Sequence, residues 1–337
     1  MSSVPEQVSV SPDPVPDPVL RLGSSPAAAL EAAAWAMAAF VGTLRDALDT
    51  PLMEVLAADP QRTAVLESAG LVRPDGTGFT VHPSLVPADG PTARSAVQAR
   101  LSALRQAVSA AAGPDGPSGL DGSAHGGWAA QSDEVLLNQG RASAATGRAL
   151  AGKVVPRLTG LPERLAAPGG RILDVGTGVA ALATVLAERF PQARVDGIDV
   201  LARALGLARA ELAAVPAAVA DRITLRRQDV AELAERDAYE LVWLPAPFVS
   251  EQALASALPR LAAALVPGGW LVAGTNPASG EPLLRSVGRW VAVRNGGNSY
   301  DTAAMTAAVE SAGLGQIRTF PTVPGGPVLV AARRPPV

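Results

Sequence analysis

The chain has no cysteine. Disulfides, thiolate metal sites and a cysteine nucleophile are therefore excluded at the outset. Two histidines, His82 and His125, are too few for a histidine-built metal centre, and the single lysine, Lys153, leaves Schiff-base chemistry one residue to use. Excess positive charge is missing as well. Lys and Arg total 28 against 31 Asp and Glu, a formal net charge of −3, so the chain lacks the field that a general nucleic-acid coat needs. No uninterrupted apolar stretch of about 18 residues occurs, so no transmembrane helix is expected. The N-terminus has no basic segment, and Pro5, Pro12, Pro14, Pro16 and Pro18 break any apolar run, so no signal peptide is expected either. A cytoplasmic protein without membrane or nucleic-acid partners is the resulting expectation. What the chain does have is length and apolar content. Its 337 residues, 48% hydrophobic, suffice for a sizeable core in two domains or one large one.

Residues 1–23 read as a disordered tail, because the alternating prolines at 12–18 disfavour helix and cannot complete a strand ladder. Helical spacing begins after Ser24-Ser25-Pro26, with Leu30, Met37, Val41, Leu44 and Leu48. Short helices follow Pro51 and Pro60, the second ending at Gly70. Asp75-Gly76-Thr77-Gly78 is a turn before the strand-like Phe79-Thr80-Val81-His82. A helix over 91–112, with Leu101, Leu104 and Val108 on one face, completes a mainly helical, winged-helix-like domain at 24–112. Only Arg62 and Arg73 are cationic within 60–82, too little phosphate affinity for DNA reading, so a role in dimerisation or as a lid over substrate is favoured. The Gly-, Pro- and Ser-rich stretch 113–127 is a linker or cover. Helices resume near 130 and run to about 165. Beyond Pro168-Gly169-Gly170, apolar β-type runs at 171–175, 193–198, 222–227, 239–244, 269–274, 315–320 and 327–333 appear, the first five separated by helical segments. That alternation predicts an α/β domain at 128–337 with a mostly parallel sheet.

Chemistry concentrates at the strand ends. Asp174-Val175-Gly176-Thr177-Gly178 is a strand running into a tight glycine turn that opens a helix, where free N–H groups favour an anionic or polar ligand. Asp199 ends the next strand, 23 residues after Gly176, where a carboxylate can accept both hydroxyls of a ribose; an N-cap is its structural alternative. Asp229 ends the third, where it can accept from an exocyclic amine. Three acids at the C-terminal ends of three successive strands point to a ligand crevice.

In Leu173-Asp174-Val175-Gly176-Thr177-Gly178, Gly197-Ile198-Asp199, Gln228-Asp229-Val230, Tyr239-Glu240-Leu241-Val242-Trp243-Leu244 and Leu265-Val266-Pro267-Gly268-Gly269-Trp270-Leu271, the sequence resembles the class I S-adenosylmethionine-dependent methyltransferases, over about 171–333. Gln139-Gly140-Arg141-Ala142-Ser143 ahead of the first strand resembles bacterial small-molecule members. The resemblance implies a Rossmann-like seven-stranded sheet whose last strand is antiparallel, with 315–320 and 327–333 joined through Val323-Pro324-Gly325-Gly326. It implies S-adenosyl-L-methionine as cofactor. Asp174 would orient the methionyl ammonium, and Gly176 and Gly178 would let the backbone approach it. Asp199 would hold the ribose, Val200 would pack near adenine, and Asp229 with the Val230 N–H would read the adenine edge. Leu244 would close the site. Gln139 and Arg141 would reach the methionyl carboxylate or an acidic substrate group.

The fourth-strand segment Leu244-Pro245-Ala246-Pro247-Phe248 departs from the Asn/Asp-Pro-Pro-Tyr pattern of enzymes that methylate base or amide nitrogen. Trp243-Leu244 also offers no carboxylate where magnesium-dependent catechol methyltransferases place one. The expected reaction is therefore metal-independent transfer to a small, largely apolar metabolite, of secondary-metabolism type, at O, N or C. His125 is the candidate general base, with Asp133, Glu134 and Tyr300 behind it; Trp128, Trp243, Phe248 and Tyr300 are the candidate substrate-lining residues. A homodimer through the N-terminal helices is expected, with substrate entering between those helices and the strand ends. A nicotinamide oxidoreductase also fits Gly176-x-Gly178-x-x-Ala181 plus Asp199. It leaves Asp174, Asp229 and the Pro267-Gly268-Gly269 turn without roles, and neither Tyr239 nor Tyr300 has Lys four residues on. A cofactor-binding, non-methylating cyclase is a further alternative.

Overall fold

The computed structural model describes residues 9–10, 26–76, 78–86, 91–112, 127–276, 281–322 and 328–336. The chain forms two compact units, Met1–Leu104 and Arg105–Val337, so the division falls inside a long helix. The linker reading of 113–127 lies, apart from Gly127, outside the described residues.

In the first unit, helices α1 (Pro26–Asp46), α2 (Leu52–Ala58), α3 (Pro60–Ser68) and the start of α4 (Pro91–Ala112) accompany strands β1 (Ser9–Val10), β2 (Val72–Asp75) and β3 (Gly78–Val81). Pro60 opens α3, and the Asp59 side chain accepts the Arg62 N–H at 3.0 Å, satisfying one of the free donors of the first turn. β2 and β3 form the expected antiparallel hairpin, and Leu44, Leu56, Leu66, Val72, Val81, Leu85 and Val97 close the core beneath it. Ser9–Val10 corrects the reading of 1–23 as wholly disordered, since it pairs in parallel with Thr80–Val81. Those two residues precede the proline run, so their backbone N–H groups remain available to a ladder.

α1 bears on the expectation that no helix crosses a membrane. It spans 21 residues, its most apolar window has a mean hydropathy of 1.5, and only 22% of that window is buried. It is thus long and apolar enough, by length and composition, to cross a membrane. Its alanines carry the average, although Glu31 interrupts the run. Only Val41, Thr43 and Leu44 are buried, whereas Leu30 and Trp35 are 60% and 69% exposed. In α4, Val108 is exposed rather than sharing an inward face with Leu101.

The second unit begins with the end of α4, followed by α5 (Asp133–Ala149). α5 continues through a π turn, Leu150–Val154, until Pro156 and the turn around it stop the helix before α6 (Leu161–Ala166). The expected alternation follows: β4 (Arg171–Val175), α7 (Ala181–Arg189), β5 (Arg194–Asp199), α8 (Ala202–Leu212), α9 (Ala217–Ala220), β6 (Ile223–Arg227), β7 (Tyr239–Pro245), α10 (Glu251–Ala264), β8 (Leu265–Gly274), α11 (Pro282–Arg294), α12 (Thr302–Ser311), β9 (Gly315–Pro321) and β10 (Val328–Arg333). The seven strands of one sheet run in the order β6-β5-β4-β7-β8-β10-β9. β10 is antiparallel to both neighbours, as expected, while the other observed pairings are parallel. The connection 323–327 lies outside the described residues.

Pro267-Gly268-Gly269 sits inside a shift of register, with Tyr239 opposite Leu265 but Leu241 opposite Trp270. Gly269 has no room for a Cβ, which would lie 2.9–3.0 Å from the carbonyl oxygens of Val266 and Tyr239. Apolar layers on both faces bury β4, β7 and β8, one around Leu182, Leu186, Trp243 and Trp270 and the other around Val242, Leu244, Leu258 and Leu271. Open α/β sheets bind ligands outside the carboxyl ends of their strands, so those ends are the candidate site here.

Candidate functional site

β6, β5 and β4 are adjacent, so Asp229, Asp199 and Asp174 come from three neighbouring strand tips. Asp174 is fully buried, and its carboxyl is pushed up to about 7, chiefly by burial. The Thr177 hydroxyl donates to its Oδ2 at 2.7 Å, and the neighbouring Asp199 charge adds to the upward shift. Room for that hydroxyl comes from Gly197, paired with Asp174 across the strands. A Cβ on Gly197 would lie 2.7 Å from Thr177 Oγ1.

Asp199 ties the glycine turn to the tip of β5. Its Oδ2 accepts the Gly178 N–H at 3.0 Å and its Oδ1 the Leu201 N–H at 2.8 Å. Burial raises its carboxyl, partly offset by these backbone donors. Gly176 and Gly178 take positive φ, +61° and +57°, as the tight turn requires. Ala180, at the head of α7, also takes positive φ, 63°, a conformation that costs an L-residue about 1 kcal/mol or more. Asp229 is exposed, and its Oδ1 caps the short turn Val230–Glu232 through the Ala231 N–H at 2.8 Å. Val230 is buried beside it, while Val200, 51% exposed, is an apolar side chain left at the β5 tip.

The donor set fits a nucleoside-linked amino acid. A buried carboxyl with a hydroxyl as its hydrogen-bonding partner suits an ammonium, a carboxylate at a strand tip suits a diol, and an exposed carboxylate suits an exocyclic amine. The strand order is the one expected of a class I S-adenosylmethionine-dependent methyltransferase domain, and the three carboxylates stand where that expectation places them.

Comparison with known proteins agrees. Residues 172–269 match the family model described as a methyltransferase domain. The chain is 35% identical over 190 residues to the release factor glutamine methyltransferase of Cereibacter sphaeroides, covering 53% of this chain and 66% of that one. It spans 22–45% of seven other curated methyltransferases. Among solved structures, human N-acetylserotonin methyltransferase in complex with SAM shares the fold with a TM-score of 0.60 at 14% identity, covering 91% of this chain and 94% of that one. The pyocyanin biosynthetic protein PhzM does so with a TM-score of 0.59 at 18% identity, covering 90% and 95%.

The remaining sequence-predicted residues divide. His125 lies outside the described residues. Trp128 and Phe248 meet edge to face, with ring centroids 5.3 Å apart. Trp243 and Leu244 are buried. Their side chains belong to the two apolar layers, because β7 is buried on both faces. Pro245, one residue on, is the β7 side chain at the glycine turn, its Cγ 3.5 Å from where a Gly176 Cβ would lie. The Tyr300 hydroxyl donates to Glu251 Oε1 at 3.4 Å, and its pKa is raised by burial and by that carboxylate, which disfavours a phenolate base. Asp133 and Glu134 are paired with Arg203 and Arg105. Arg141 is turned away from an anion-binding role: its Nε and Nη2 form two 2.7 Å bonds to the Glu211 carboxylate. Gln139 is half-buried next to Gly140, which packs on Val179 of the glycine turn.

A carboxamide group absent from the sequence reading supports Phe248 and Trp128. Asn298 Nδ2 donates to the carbonyls of Ala246 and Val249, both at 2.7 Å, which fixes the turn carrying Phe248. Gln131, beside Trp128, donates to Asn295, which donates in turn to Gln106. These partners lie up to 189 residues apart, so no local pattern announces them.

Proposed function

We propose that this protein transfers the methyl group of S-adenosylmethionine, without a metal, to a small and largely apolar metabolite. The observation that carries the reading is the set of three carboxylates on adjacent strand tips, joined to the glycine turn by the bond from Gly178 N–H to Asp199. When bound, the cofactor supplies an electrophilic methyl on a sulfonium that departs as a neutral thioether. The protein's part is then chiefly proximity and alignment. Asp174 holds the ammonium end, Asp199 the ribose, and Asp229 with Val230 the adenine. A nicotinamide reading is disfavoured, since a pyrophosphate at this turn would meet the buried Asp174 carboxylate.

The edge-to-face pair Trp128 and Phe248 supports an acceptor with an apolar, aromatic body. Leu244-Pro245-Ala246-Pro247-Phe248 lacks the Asn/Asp-Pro-Pro-Tyr pattern, so the likeness to a glutamine methyltransferase is read as shared cofactor architecture. Among the described residues, no three His, Asp or Glu side chains cluster as metal ligands. Product mass should rise by one methylene, and activity should persist in chelator; activity lost to chelator and restored by magnesium contradicts the reading. With a hydroxyl acceptor, His125→Ala lowers turnover by about 10²–10⁴ with little change in cofactor affinity. Full activity in that variant removes His125 as the base. The exposed Leu30 and Trp35 of α1 support self-association through the N-terminal helices in the cytoplasm. Light scattering should report a dimer, and a monomer at tens of micromolar ends that part of the reading.

A further inference from the structure

α5 and α8 are joined by two ion pairs with matched spacing. Asp133 Oδ1 lies 3.1 Å from Arg203 Nε, and the Arg203 guanidinium also donates to the Gln131 carbonyl. Eight residues further along both helices, Arg141 and Glu211 form a two-pronged pair with both bonds at 2.7 Å. Eight residues is about 12 Å of helix, so the two contacts fix a parallel register. Their signs are inverted, acid to base at one point and base to acid at the other. An antiparallel arrangement would set Asp133 against Glu211 and Arg141 against Arg203, and a slip of one turn would break both pairs.

The position of α5 gives this register a consequence. α5 rides on α7 through glycines. A Cβ on Gly140 would come within 2.4 Å of Val179 Cγ2, and one on Gly147 within 3.1–3.3 Å of Val185 and the Leu182 carbonyl. Val179 follows Gly178, whose N–H is held by Asp199, and α8 begins three residues after Asp199. α5 therefore lies beside the glycine turn, while its ion pairs reach the helix that starts at the ribose-binding tip.

We propose that Asp133–Arg203 and Arg141–Glu211 form a two-point ionic clasp that holds α5 beside the glycine turn and sets how fast the cofactor leaves. Arg141 and Glu211 are positioning residues in this account. The four side chains are 32–59% exposed, so each pair contributes modestly and can open without unfolding the domain. Mutual pairing raises the pKa of Arg141 and lowers that of Glu211, in keeping with a formed bridge.

The inference rests on the cofactor assignment, and the test separates the two. Stopped-flow displacement measures dissociation of S-adenosylhomocysteine from the full chain. Arg141→Glu and Glu211→Arg, singly, should each speed dissociation about five- to tenfold while the ligand-free melting temperature stays within about 2 °C. The double charge swap should restore the rate to within about twofold. Asp133→Arg with Arg203→Glu should behave likewise, and provides an independent cycle if one Arg141 or Glu211 variant fails to fold. Unchanged rates in the single variants overturn the clasp. So does a double swap as weak as Arg141→Glu alone, which would assign Arg141 to the cofactor's carboxylate. A wild-type chain that does not bind S-adenosylhomocysteine defeats the cofactor assignment itself, and the clasp with it.

Discussion

Asp199→Ala should weaken S-adenosylhomocysteine binding by about 100-fold or more, because it removes a pair of charge-assisted hydrogen bonds worth about 1.5–3 kcal/mol each. The effect has a second source within the protein. Asp199 Oδ2 holds the Gly178 N–H and Oδ1 holds Leu201, so its loss also frees the glycine turn from the β5 tip. Asp199→Asn separates the two sources. It keeps an acceptor for one backbone donor and should retain more of the fold's stability than of the affinity. Calorimetric titration of both variants checks this, and unchanged affinity in Asp199→Ala removes the ribose assignment.

The second large effect is one of pH, through Asp174. Its folded-state carboxyl sits at about 7 against the ordinary aspartate value of 3.8, so folding favours the protonated form. Stability from this group is full below about pH 4, falls as pH rises toward 7, and is flat above. That difference corresponds to on the order of 4 kcal/mol. Binding of an ammonium needs the ionised form. Apparent affinity for S-adenosylhomocysteine should therefore fall about tenfold per unit as pH drops below 7 and level off above it. Asp174→Asn should flatten that profile, weaken binding at pH 8 and raise the melting temperature of the ligand-free protein at the same pH. The variant thus trades function for stability, as expected where a charge is buried for a ligand's sake. A wild-type affinity that does not change between pH 5.5 and 8 contradicts the role given to Asp174.

The features readable in the sequence are those that local spacing encodes. Asp174-Val175-Gly176-Thr177-Gly178 marks a strand, a tight turn and a helix start within a few residues, and Asp199 and Asp229 end apolar runs. Their positions as neighbouring strand tips follow from the alternation of strands and helices. Side-chain direction at the end of β7 was not readable. A strand buried on both faces has no polar alternation to label its sides, so Trp243 reads equally as pocket wall and as core. Arg141 shows another limit: an arginine near a cofactor motif has the right charge for a carboxylate, but its partner Glu211 is 70 residues away. The carboxamides Gln131, Asn295 and Asn298 are hidden for the same reason. They serve backbone carbonyls and one another across loops, and uncharged side chains outside periodic segments leave no pattern. The pairing of Ser9–Val10 with β3 is hidden because the neighbouring prolines dominate the local pattern of the tail.

On the proposed function, the three carboxylates and the glycine turn bind S-adenosylmethionine. Thermal unfolding of the wild-type chain with saturating S-adenosylhomocysteine, compared with NAD+ and NADP+ at the same concentration, tests it most directly. At 100 times its dissociation constant, a ligand selective for the folded state adds about 2.7 kcal/mol, a rise of several degrees in a domain of this size. S-adenosylhomocysteine should give that rise and neither nicotinamide dinucleotide any; stabilisation by a nicotinamide dinucleotide alone overturns the cofactor assignment.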